Sequence, residues 1–127
     1  IDEVGTKERW PEEYLRKNRE TTNVQREGFA KAVKMGVKIA YGTDSGVYPH
    51  GLNARQFAYM VRHGMTPMQA IQSATIRAAE LLGREADLGA IAPGRFADLV
   101  AVSGDPIDNI RLLEKVDHVM KGGAIMR

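Results

Sequence analysis

The residues best suited to do chemistry lie in one short stretch, Gly42-Thr43-Asp44-Ser45-Gly46, continued by Val47-Tyr48-Pro49-His50-Gly51. Asp44 follows Val37-Lys38-Ile39-Ala40-Tyr41, whose composition predicts a short strand ending at Gly42. In (β/α) architectures side chains converge on a ligand at that end of a strand, and glycines there let backbone approach closely. A carboxylate so placed is a hard oxygen ligand for a divalent metal. It is also a base toward water, whose pKa falls to about 7 on a suitable zinc. The alternative is that Asp44 only hydrogen-bonds its own backbone in an Asx-turn, and on spacing alone that is the commoner outcome.

His50, six residues past Asp44, can contact a substrate or polarise a carbonyl, or can simply pack its loop. Tyr48 either lines the pocket or packs on Pro49. Arg55 is able to grip a carboxylate bidentately, but a solvated helix arginine is the expected role. His63, near a helix end, reads as a surface or capping residue, and His118, in a terminal strand, as solvent-facing. There is no HxH motif, and with no cysteine the chain can form neither disulfides nor thiolate sites.

The elements that must position these residues follow from punctuation and periodicity. Trp10-Pro11-Glu12-Glu13 suits a helix start. Glu20 to Met35 reads as a helix with Val24, Phe29, Ala32 and Val33 inward, stopped by Gly36. A helix near Ala54 to His63 carries Phe57, Met60 and Val61 and ends at Gly64. Thr66-Pro67 opens another, to about Leu82, with Ile71, Ala74, Ala78 and Leu81 at helical spacing and Gly83 as its stop. Beyond it Leu88 to Ile91 and Asp98 to Val102 read as β structure, and Ile107 to Lys115 as one or two helical turns. Val116 to Arg127 reads as a hairpin turning at Gly122-Gly123.

Composition narrows the partners. Eighteen basic residues against 16 acidic give a net charge of +2 without a basic stripe, so nucleic acid is not expected. No run approaches the ~20 apolar residues of a membrane span. Ile1-Asp2-Glu3-Val4 lacks the apolar centre of a secretory leader, and a cytoplasmic location is the default expectation.

Gly36 to Gly51, GVKIAYGTDSGVYPHG, resembles the last barrel strand and following loop of the amidohydrolase superfamily. Gly64-Met65-Thr66-Pro67, Ala70-Ile71, Ala74-Thr75, Ala79 and Leu82-Gly83 resemble the helices after that strand. Leu88 to Val100, LGAIAPGRFADLV, resembles the exit into a small β domain. Val47-Tyr48-Pro49-His50-Gly51, with Asn53-Ala54-Arg55-Gln56-Phe57, resembles the prolidase-like branch of Xaa-Pro dipeptidases and metal-dependent carboxypeptidases. Gln56 stands where related enzymes often have Glu.

The resemblance implies an α/β fold, the C-terminal portion of a TIM-like (β/α)8 metal-dependent hydrolase barrel followed by strands of a small β-sandwich. Residues 1–84 would hold the last barrel strand and flanking helices, and residues 85–127 the strands of the β domain. It implies one or two divalent metals, usually zinc, held by an HxH on the first strand, further His and a lysine on middle strands, and an Asp on the last. Asp44 matches that Asp, as metal ligand and as carrier of a proton from water to the leaving nitrogen. Tyr48 and His50 would contact substrate, and Asp98 would be structural. A small peptide or N-acyl amino acid is the implied substrate, and a homo-oligomer the implied state of the full-length protein.

A complete barrel takes about 250 residues. The 127 residues here, opening on Ile1 and not on Met, are therefore expected to be part of a longer polypeptide and inactive alone. Two other readings are a free-standing association domain working through an exposed sheet edge and a cyclic-amide hydrolase or deaminase of the same superfamily.

Overall fold

The computed structural model describes residues 2–46 and 50–127. Five α-helices come first: α1 (Asp2–Lys7), α2 (Glu12–Lys34), α3 (Arg55–Arg62), α4 (Pro67–Ala74) and α5 (Ile76–Leu81). Strand β1 (Leu99–Ala101), a 3₁₀ helix (Ile110–Glu114), β2 (His118–Lys121) and β3 (Ala124–Ile125) complete the chain. The result is a mixed α/β structure with one small antiparallel sheet in the order β1-β2-β3.

The helix predicted from Glu20 is longer than its apolar spacing suggested. Nothing between Glu12 and Lys34 breaks it, acidic Glu12 and Glu13 lie in its first turn, and basic Lys31 and Lys34 in its last. Exposed i,i+4 pairs, Arg16–Glu20 and Lys17–Glu13, line its first half, each worth only a few tenths of a kcal/mol. Val24, expected inward, is 70% exposed. The first half of α2 packs on α1, with Leu15 buried beside Gly5, and in its C-terminal half Phe29 and Val33 pack with Phe57 and Val61 around buried Met60, Met65 and Ala70.

Helices α2, α3 and α5 each stop one residue before a C-cap that is followed by a glycine, as expected from Gly36, Gly64 and Gly83. Thr66 accepts from Gln69 N–H while the Gln69 side chain returns a bond to Thr66 N–H, a complete capping box before α4.

Three expected elements are corrected. The single helix from Thr66 to Leu82 breaks at Thr75, whose φ of −121° and ψ of −95° are not helical. Thr75 uses its hydroxyl and its N–H on the carbonyls of Ile71 and Gln72, competing with helix continuation. Leu81, expected inward, is consequently exposed. Val37–Tyr41 forms no strand, because a strand exists only in a ladder and this segment has none here. Its backbone is held at its two ends, Val37 N–H donating to the carbonyl of Ala32 at 3.0 Å and Tyr41 N–H to the carbonyl of Ser73 at 2.9 Å. Leu88 to Ile91 likewise forms no strand, Leu88 to Ala90 being a series of bends.

The terminal hairpin forms as expected. Met120 faces Ile125 and Lys121 faces Ala124, joined by Gly122 and Gly123 at φ of +57° and +84°, the two-residue turn that requires positive φ twice. Asp98 fastens that turn, accepting from Lys121 Nζ and from Gly122 N–H at 2.8 Å. These bonds hold its carboxyl below the usual carboxylate range, the Lys121 bond contributing most. Since the folded value is depressed, this stabilisation is present above the unfolded value of about 3.9 and is lost as pH falls through the lower folded value. Asp98→Asn is therefore expected to lower the melting temperature at pH 7, with the gap from wild type closing in strong acid. An equal gap at both pH values would sink the assignment.

Gly89 closes the groove over the α4–α5 break. A Cβ there would lie 2.8 Å from the Thr75 carbonyl oxygen and 2.9 Å from Ala79 Cβ, at a φ of +86°. Gly89→Ala is expected to destabilise by about 1–3 kcal/mol, read as a shift of the denaturant midpoint, and an unmoved midpoint would contradict this packing.

Candidate active site

The site begins where α4 ends. The last carbonyls of a helix have no intrahelical partner. In α4, Thr75 serves those of Ile71 and Gln72, and Tyr41 N–H takes that of Ser73. Ser73 is fully buried, its hydroxyl donating to the Ala70 carbonyl at 2.6 Å. Tyr41 is therefore set on a buried helix end, and its ring stacks on Phe57 with centroids 4.5 Å apart. Three residues on, the chain carries Asp44.

Asp44 is exposed and adopts φ +46°, the left-handed region that few residues except Gly, Asn and Asp enter readily. No hydrogen bond or ion pair among the described residues occupies its carboxylate. His50 lies exposed in a turn before Gly51. Tyr48 lies outside the described residues.

The other weighed residues take structural places. Arg55 Nε lies 4.0 Å from Glu114 of the 3₁₀ helix, so it ties α3 to the C-terminal segment, where only solvation was expected. His63 is the half-buried C-cap residue of α3. His118 opens β2, is exposed, and pairs with Ala101.

Asn53 was not singled out from the sequence as a functional residue. Its Nδ2 donates to Thr43 Oγ1 at 2.8 Å, its Oδ1 accepts from Gly51 N–H at 3.1 Å, and its carbonyl accepts the Tyr41 hydroxyl. The local signal was only that of an asparagine near a loop glycine, a common turn pairing.

Among the described residues no three His, Asp or Glu side chains gather as a metal site. An apolar cavity of about 490 Å³ lies between α4, α5 and the C-terminal segment, lined by Ile71, Ala78, Leu88, Phe96, Leu99 and Leu113 among others, and Asp44 and His50 are not part of its wall. A hard divalent cation suits Asp44 as a single carboxylate ligand, and among the described residues no group of His, Asp or Glu gathers with it to complete a site.

The amidohydrolase family model matches residues 2–126. The chain belongs to the amidohydrolase family. It is similar to a crystal structure of a Xaa-Pro dipeptidase with methionine bound in its active site, with a TM-score of 0.88 and 45% identity over 98% of this chain and 32% of that one. Ochratoxinase of Aspergillus niger is 38% identical over 104 residues, 78% of this chain and 21% of its own length. Adenine deaminase of Moorella thermoacetica is 41% identical over 66 residues, 52% of this chain and 10% of its own. The chain thus spans a third or less of each of these relatives. No helix among the described residues is long and apolar enough to cross a membrane.

The left-handed backbone at Asp44 separates charge from conformation. Asp44→Asn keeps a side chain that tolerates this φ and should leave the denaturant midpoint nearly unchanged. Asp44→Ala should cost about 1 kcal/mol. Equal midpoints for the two variants would show that the left-handed conformation carries no such cost.

Proposed function

We propose that this chain supplies the last-strand aspartate of a metal-dependent amidohydrolase that cleaves a peptide-like C–N bond, of the Xaa-Pro dipeptidase or carboxypeptidase type. The observation that carries the reading is the likeness to the Xaa-Pro dipeptidase over 98% of the chain. In this reading residues 1–84 complete a TIM-like barrel and residues 85–127 complete a small β domain, the partner strands coming from outside this chain. Val37–Tyr41 would gain its ladder from those neighbours.

A divalent metal, zinc in this proposal, supplies Lewis-acid activation of the water and of the scissile carbonyl when bound. Asp44 is one ligand, and the others lie outside this chain. Its carboxylate takes the proton of the attacking water and returns it to the leaving nitrogen, which departs poorly unless protonated. His50 and Tyr48 contact a small peptide or N-acyl amino-acid substrate near the mouth of the site. The likeness to an adenine deaminase favours a second reading, deamination or cyclic-amide hydrolysis with the same aspartate moving the proton.

The test uses the full-length polypeptide, with metal content read on the same sample. A panel of Xaa-Pro dipeptides, N-acyl amino acids, cyclic amides and adenine separates the two readings. Asp44→Asn is expected to lower turnover by roughly 10³-fold, with the fold intact by circular dichroism. Loss of less than about tenfold, outside the usual range for a proton carrier, would remove Asp44 from the mechanism. Turnover of adenine alone would replace the peptidase reading by the deaminase one.

A further inference from the structure

The reaction as written does not use Asn53, yet its side chain grips the chain at both ends of the stretch that carries the chemistry. Thr43, which it reaches through Nδ2 at 2.8 Å, immediately precedes Asp44. Gly51, whose N–H it accepts at 3.1 Å, immediately follows His50. One planar amide therefore donates toward the Asp44 side and accepts from the His50 side. An ionised aspartate offers only acceptors, and a lone hydroxyl cannot reproduce the fixed separation of the amide's two polar atoms.

Asn53 is itself held. Its carbonyl accepts the Tyr41 hydroxyl, the Tyr41 ring stacks on Phe57, and Tyr41 N–H is bonded to the buried Ser73 residue's carbonyl. Asn53, Thr43 and Tyr41 are all half-buried, while Asp44 and His50 are exposed. The bridge thus ties two exposed residues to the packed helices beneath. A left-handed φ at a non-glycine residue persists only where its surroundings hold it, and the bond to Thr43 restrains the residue immediately before Asp44.

We infer that Asn53 is a positioning residue that sets Asp44 and His50 relative to each other, an inference that rests on the reading of Asp44 as metal ligand and proton carrier. Groups behind a metal ligand orient it, and their loss commonly costs 10–100-fold in metal affinity or activity. Small misplacements of reacting groups cost turnover on a similar scale.

The experiment uses the full-length enzyme in wild-type, Asn53→Ala, Thr43→Val, Thr43→Ser and Asp44→Asn forms. Zinc affinity is measured by competition with a chromophoric chelator, and kcat and KM on the best dipeptide of the panel. Asn53→Ala is expected to lower kcat by about 10–100-fold, to leave KM within about threefold, and to weaken zinc binding by about tenfold. Thr43→Val is expected to move kcat and zinc affinity in the same direction, and Thr43→Ser, which keeps the hydroxyl, to restore both. Should Asn53→Ala not fold, the Val and Ser variants at Thr43 carry the test alone, and equal kcat in the two overturns the inference. Wild-type kcat and zinc affinity in Asn53→Ala overturns it too, as does a kcat loss that Thr43→Ser shares with Thr43→Val. If Asp44→Asn keeps its turnover, the functional reading fails and the inference falls with it. If Asp44→Asn is inactive while Asn53→Ala and Thr43→Val match wild type, only the positioning role is lost.

Discussion

The interruption of the helical stretch at Thr75 is the constraint on which the site depends. A helix that continued would use its own N–H groups on the carbonyls of Ile71, Gln72 and Ser73. Because α4 stops at Ala74, Thr75 serves the first two and the third becomes the anchor for Tyr41. That bond places a residue from outside the helices on the buried end of α4, beside the cluster of Met60, Met65 and Ala70. From there the Tyr41 ring and hydroxyl reach Phe57 and Asn53. A backbone break that weakens a helix thus creates the acceptor that positions the loop.

Rigidity and exposure are divided along this loop in a way that suits a ligand. The polar atoms of Thr43, Gly51 and Asn53 satisfy one another, which matters in a half-buried position where an unpaired group is costly. The carboxylate of Asp44 stays outside that network. Its charge is exposed, while its backbone adopts a conformation aspartate tolerates. A single carboxylate is not a metal centre, and the relatives are several times longer than this chain. Both facts are consistent with a site assembled from this segment and others.

The C-terminal third is organised by different forces. The sheet is short, and its register is pinned by the glycine turn and by Asp98, not by an extensive ladder. Its apolar residues are incompletely covered, Val100 and Ile125 being largely exposed. The attachment to the helices runs through the 3₁₀ helix, where Ile110 is buried and Glu114 meets both Arg55 and Arg111. Such exposed ion pairs contribute little energy, so the burial of Ile110 is the larger part of that attachment.

Local signals determined much of this protein by themselves. The stops at Gly36, Gly64 and Gly83, the capping box at Thr66 and Gln69, and the hairpin at Gly122-Gly123 each depend on a few neighbouring residues, and so could be read in order along the chain. The ordered motifs around Asp44 carried the family in the same way. Tertiary structure decided the remainder, because it depended on partners distant in sequence. Val37–Tyr41 has strand composition but no ladder, since pairing belongs to the neighbours and not to the segment. Val24 has helical spacing but no covering element, so it remains in water. The break at Thr75 and the bridge made by Asn53 depend on hydrogen-bond groups aligned by folding, and residue types name such donors and acceptors without saying which will meet.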